Sequence, residues 1–119
     1  MHKLIYLLIP FLFLSCKSDA QLAMERGIQF YDWNKFDEAL VEFNKVKYLL
    51  EDTNDSYLSN IELLAQAHFN LGITYAKLNF LNQAEQEILN ALSLVPNQEY
   101  RTVLNLVRDK QEQNEVDKP

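Results

Sequence analysis

The sequence predicts an all-α fold, with two helix–turn–helix units in tandem and a C-terminal helix closing the array. Three observations carry this reading. Apolar residues recur at three- and four-residue spacing along nearly the whole chain after residue 19, the period of one helix face. Helix breakers are scarce, with two glycines and three prolines in 119 residues. The chain also matches itself. With Gly27 placed on Gly72, Ala39 falls on Ala84, Phe43 on Ile88, Val46 on Ala91 and Phe30 on Tyr75. Asn34 then falls on Asn79, each in a short turn where asparagine tolerates a left-handed backbone. A chain of 119 residues holds one small domain.

Residues 1–15 read as a targeting segment. His2 and Lys3 form a short basic head, and Leu4 to Leu14 is nearly all apolar, broken only by Pro10. These 11 residues are too few to span a bilayer and suit the core of a signal peptide. Phe13-Leu14-Ser15-Cys16 resembles the lipobox of bacterial lipoproteins, with Phe13 in place of the more usual leucine. That resemblance implies cleavage before Cys16, two acyl chains on its sulfur and often a third, palmitate-like, on the new N-terminus. Cys16 is the only cysteine, which rules out an intramolecular disulfide. Two or more acyl chains anchor stably, at about 0.8 kcal/mol per buried methylene. Residues 16–19 leave a very short tether. Lys17 stands where an aspartate would favour inner-membrane retention in enterobacteria-like systems, which tilts the expectation to the outer membrane.

The helices follow in order. Asp19 is the expected cap of a first helix from about Ala20 to Trp33, striped by Leu22, Ala23, Gly27 and Phe30. A second runs from about Lys35 to Leu50, striped by Phe36, Ala39, Leu40, Phe43, Val46 and Leu50. Glu51 to Ser56 is polar and reads as a loop, with Asp55 or Ser56 capping a long third helix from Tyr57 to Leu78. The fourth runs from about Phe80 to Leu94 and stops at Pro96, which cannot continue a helix. Asn97 caps the last, about Gln98 to Gln113, with Tyr100, Val103, Leu104 and Val107 on one face. Residues 114–119 read as a frayed tail.

Leu71-Gly72, Tyr75, Ala84, Ile88 and Pro96 stand at the spacing of a 34-residue helix–turn–helix signature. The stretch resembles the tetratricopeptide repeat, with His68 in place of the tryptophan and Ile88 in place of the phenylalanine. Gly72 and Ala84 are small enough for two helices to cross closely, while Leu71, Tyr75, Ile88 and Leu92 fill the space beside them. The repeats cover about residues 20–53 and 65–98, and a capping helix over about 98–113 covers the apolar end. The 45 residues from Gly27 to Gly72 exceed one repeat by 11, an insertion in the loop and the start of the third helix. Arg26 and Glu51 depart from the upstream pattern. The implied architecture is a short α-solenoid.

By the same resemblance, a partner would lie along the concave face, at Gln21, Met24, Ile28, Tyr31, Phe69, Asn70, Ile73 and Lys77. Such an apolar stripe has two meanings: a groove for a peptide or helix, or a seat for the capping helix and the inserted loop. Met24 and Ile28 replace the lysine and asparagine of the carboxylate clamp found in chaperone-binding members, so that clamp is absent.

Chemistry is sparse. His68 has no cysteine partner or H-E-x-x-H context and takes a packing position. Asp52, Asn54, Asp55 and Glu62 lack the glycine and closing glutamate of a calcium loop. Glu85 and Glu87 sit two apart on a helix and do not face each other. Phosphate-loop, zinc and nucleophile motifs are missing, so no enzyme, cofactor or metal is expected. Removing residues 1–15 takes away Lys3 and no acid, leaving 10 basic and 17 acidic residues and a formal charge of −7, which argues against nucleic acid. The expected role is an adaptor or assembly factor that holds another envelope protein at a membrane. The alternative is a structural lipoprotein that uses its apolar concave face to form homo-oligomers.

Overall fold

The computed structural model describes residues 17–51 and 58–119. These residues form five helices and no strand: α1 Asp19–Asp32, α2 Phe36–Glu51, α3 Leu58–Lys77, α4 Leu81–Leu94 and α5 Gln98–Val116. Each helix packs on its neighbours in the chain, and α3 also touches α1 and α5. The result is a short all-α solenoid of two hairpins and a closing helix.

The two hairpins turn alike. Asn34 and Asn79 both adopt the left-handed backbone, at φ 61° and 65°. Across each turn the amide one residue later reaches back to an aromatic carbonyl, Lys35 to Phe30 at 2.8 Å and Phe80 to Tyr75 at 2.9 Å. The crossings are alike as well. A Cβ on Gly27 would stand 2.5 Å from Phe43 Cε1. One on Gly72 would stand 2.6 Å from Ile88 Cγ1 and 3.2 Å from the Ala84 carbonyl oxygen. Glycine is thus required at each crossing by the neighbouring helix, not by its own backbone.

The core divides in two. Ala20, Ala23 and Met24 of α1 meet Ala39, Phe43 and Val46 of α2 and Ala67 and Leu71 of α3. Ala65 and Phe69 of α3 meet Leu81, Ala84, Ile88 and Ala91 of α4 and Tyr100, Leu104 and Val107 of α5. Tyr75 packs against both clusters.

The helix ends correct the sequence reading in two places. Ser18, not Asp19, caps α1: its Oγ accepts from Gln21 N at 3.2 Å, and Gln21 Oε1 accepts from Ser18 N at 3.1 Å. This capping box satisfies two free backbone donors, which a cap at Asp19 would not, and Asp19 becomes the first helical residue. The C-terminal helix continues to Val116, past the expected end at Gln113, because its exposed polar residues extend a regular backbone without needing a core. Asn97 caps α5 as expected, accepting from Tyr100 N at 3.2 Å. The expected caps Asp55 and Ser56, and the helix start at Tyr57, lie outside the described residues.

The crossing geometry makes Gly72 intolerant of a side chain. Gly72→Leu should lower stability by about 1–3 kcal/mol, the usual cost of overpacking. Thermal melting followed by circular dichroism would show it; an unchanged midpoint would mean that Ile88 and Ala84 yield freely.

Candidate functional site

The concave positions divide by fate. Met24 and Phe69 are buried, at 5% and 9% exposure. Phe69 lies under α5, stacked on Tyr100 with ring centroids 4.4 Å apart. Asn70 Nδ2 donates to Met24 Sδ at 3.2 Å, so these two serve the contact between α1 and α3. Met24 and Phe69 are therefore closed off in the chain as it stands, whereas Asn70 is half-buried beside Met24. The cause is tertiary: α5 folds back onto α3, and α3 lies against α1. Ile28 is exposed at 44% and Gln21 is exposed. Cys16, the expected lipidation site, lies outside the described residues.

The structure brings together Tyr31, Ile73 and Lys77. With Ala76 and Lys110 they line an open cleft of about 360 Å³ formed by α1, α3 and α5. Ile73 is half-buried against the second core cluster. Tyr31 sets its ring edge-on to Phe36 at 5.4 Å. Burial, and then the charge of Asp32, push the Tyr31 phenol above its ordinary pKa, which keeps it a neutral donor and acceptor. The sequence reading missed Ala76 and Lys110. A signal for Lys110 was present: it follows Val107 by one turn and so borders the buried stripe of α5.

His68 proves to be a packed histidine with polar partners. It is buried, and its Nδ1 lies 2.6 Å from Glu87 Oε2 on α4. Lys47 Nζ on α2 donates to Glu87 Oε1 at 3.3 Å, and Glu51 Oε1 on α2 lies 3.6 Å from His68 Nε2. Burial by itself would raise the Glu87 carboxyl. The His68 hydrogen bond and the Lys47 charge outweigh it and hold the group below the ordinary carboxylate value. The cluster ties α2, α3 and α4 together. Among the described residues, no group of three or more histidine, cysteine or acidic side chains is arranged to hold a metal ion.

No protein-family model and no curated protein matches the chain.

Two predictions follow from these contacts. Phe69→Ala should lower stability by about 3–5 kcal/mol, as truncation of a buried aromatic does, and the melting temperature should fall with it. An unchanged midpoint would mean that the ring faces solvent. The second concerns pH. The folded pKa of Glu87 lies below its unfolded value, so its stabilisation is whole above the unfolded value and is lost as pH falls through the folded one. Glu87→Gln should cost about 1.5–3 kcal/mol at neutral pH, the scale of a hydrogen bond to a charged group. Urea titrations from about pH 7 to about pH 3 should then show a shallower acid loss than in the native chain. Parallel curves would remove Glu87 from the acid response.

Proposed function

We propose that the chain is a bacterial envelope lipoprotein whose two tetratricopeptide-like hairpins hold another protein at a membrane surface. The observation that supports it most is the cleft where α1, α3 and α5 meet, with an apolar lining of Ile73 and Ala76 beside polar Tyr31, Lys77 and Lys110. A mixed lining of this kind suits a protein segment, with apolar contact for affinity and a few polar groups for orientation. The repetition of one glycine crossing and one asparagine turn supports a repeat scaffold, and such scaffolds present their neighbouring helices as a continuous binding surface. The lipobox-like Phe13-Leu14-Ser15-Cys16 supports the anchor and an outer-membrane address by way of Lys17.

Self-association has its own supporting observation. Leu22 on α1 and Trp33 just beyond its end are exposed and, with half-buried Phe30, line an open hollow of about 350 Å³ at the free edge of the array. A second copy could pack there through the same face of each.

One experiment tests both parts of the proposal. The full chain, carrying a photo-crosslinking residue in place of Ala76, is illuminated in cells and fractionated. The adaptor reading expects a cross-link to a different protein in the membrane fraction. It also expects Cys16→Ser to release the chain or leave it as a precursor. A cross-link only between copies, from Ala76 or from the same residue placed at Leu22, transfers the function to self-association. Membrane retention of a correctly cleaved, salt-resistant Cys16→Ser protein overturns the anchor.

A further inference from the structure

Charge singles out one part of the concave face. Six of the ten basic side chains among the described residues are engaged, and of the other four Arg101 and Lys118 stand away from the cleft. Lys17 pairs with Glu25, Arg26 and Lys45 with Glu42, Lys47 with Glu87, and Arg108 with Glu85. Lys35 lies over the Trp33 ring, 5.8 Å from its centroid. Lys77 and Lys110 form no ion pair or hydrogen bond among the described residues, yet both line the concave cleft. They come from different helices, α3 and α5, so their convergence is set by packing and not by sequence proximity. They also run against the average charge of a chain with 17 acidic and 11 basic residues. Two unpaired cations at one cleft of an acidic chain favour a carboxylate there.

The remaining lining constrains the ligand further. Ile73 and Ala76 offer apolar contact, and Tyr31 adds a phenol beside them. Lysine is a compact point charge that does not impose a planar fork, so it accepts a carboxylate side chain in several poses. Neither lysine lies at the clamp positions that Met24 and Ile28 occupy.

We propose that this cleft receives an acidic segment of a partner protein, in which a carboxylate side chain reaches Lys77 and Lys110 while an adjacent apolar side chain rests on Ile73 and Ala76. The inference rests on the adaptor reading and deepens it by naming the chemistry of the segment held.

The test uses the full chain in detergent micelles. It is titrated with a fluorescent dodecapeptide alternating leucine with aspartate and glutamate, and with a counterpart carrying asparagine and glutamine. The acidic peptide should bind about tenfold more tightly, and the combined Lys77→Glu and Lys110→Glu changes should erase that preference. Salt at about 0.5 M should weaken it in the native chain. Both lysines are exposed, so circular dichroism should show an unchanged melting temperature, and Lys77→Met with Lys110→Met gives the neutral comparison. Equal affinity for the two peptides overturns the charge inference and leaves an apolar adaptor groove standing. Binding of neither peptide overturns the inference together with this position for the groove. A third arm mixes the Cys16→Ser chain with phosphatidylglycerol vesicles. Sedimentation that depends on both lysines, without peptide binding, overturns the inference in favour of a lipid surface.

Discussion

Helix α3 must satisfy two cores at once, and the rest of the fold depends on how it does so. Ala65 and Phe69 lie one turn apart and enter the cluster shared with α4 and α5. Ala67 and Leu71 also lie one turn apart, shifted by two residues, and enter the cluster shared with α1 and α2. Two residues correspond to about 200° of helix rotation, so the stripes point to opposite sides. Small alanines in both stripes let neighbouring helices approach, while Phe69 and Leu71 fill the volume that the approach leaves. Gly72 completes the arrangement, since Ile88 occupies the space that its side chain would need. A helix apolar on two sides has little surface left for solvent, which is why the hairpins form one stack instead of two separable pairs.

The cluster of Lys47, His68 and Glu87 adds direction to that apolar packing. Apolar contacts tolerate sliding, whereas a half-buried carboxylate with two partners does not. Glu87 loses solvation on burial, and the loss is offset only when His68 and Lys47 stand within hydrogen-bond reach. Since the partners come from α2 and α3, the charge is satisfied only when α4 sits in its observed register against both. His68 thus acts in two ways, by filling volume and by pairing with Glu87 across the stack.

Local features of the fold were legible in the sequence, and features that depend on tertiary closure were not. The turn asparagines and the crossing glycines depend on one repeated spacing, so alignment of the chain with itself located them, and the Asn97 cap follows from Pro96 before it and the apolar stripe after it. The α1 cap was misplaced by one residue because Ser18 and Asp19 are both good caps; the choice turned on Gln21, which completes the box with Ser18. For Phe69 the helical register does not decide between groove and core, because it is the same in either case. What decides is the path of α5, set by Tyr100 stacking on the ring. With only two hairpins, the closing helix reaches a large share of the concave face, and an inference from longer arrays overstates how much remains open. Ile73 and Lys77 survived as surface because they lie one and two turns beyond Phe69, toward the end of α3.

The same geometry limits how an anchored chain could present its cleft. Ser18 is committed to the capping box and Lys17 pairs with Glu25, so a lipidated Cys16 would stand close to the start of α1. Tyr31, the α1 residue of the cleft, lies twelve residues beyond Asp19 along the helix, about 18 Å at 1.5 Å per residue. If α1 stands upright on the membrane, the cleft clears the headgroups and faces a soluble partner. If α1 lies flat, exposed Leu22 and Trp33 can enter the interface, where apolar and indole groups are favoured, and the cleft sits level with the lipid. The end of α1 away from Asp19 carries Tyr31 toward Lys77 and Lys110.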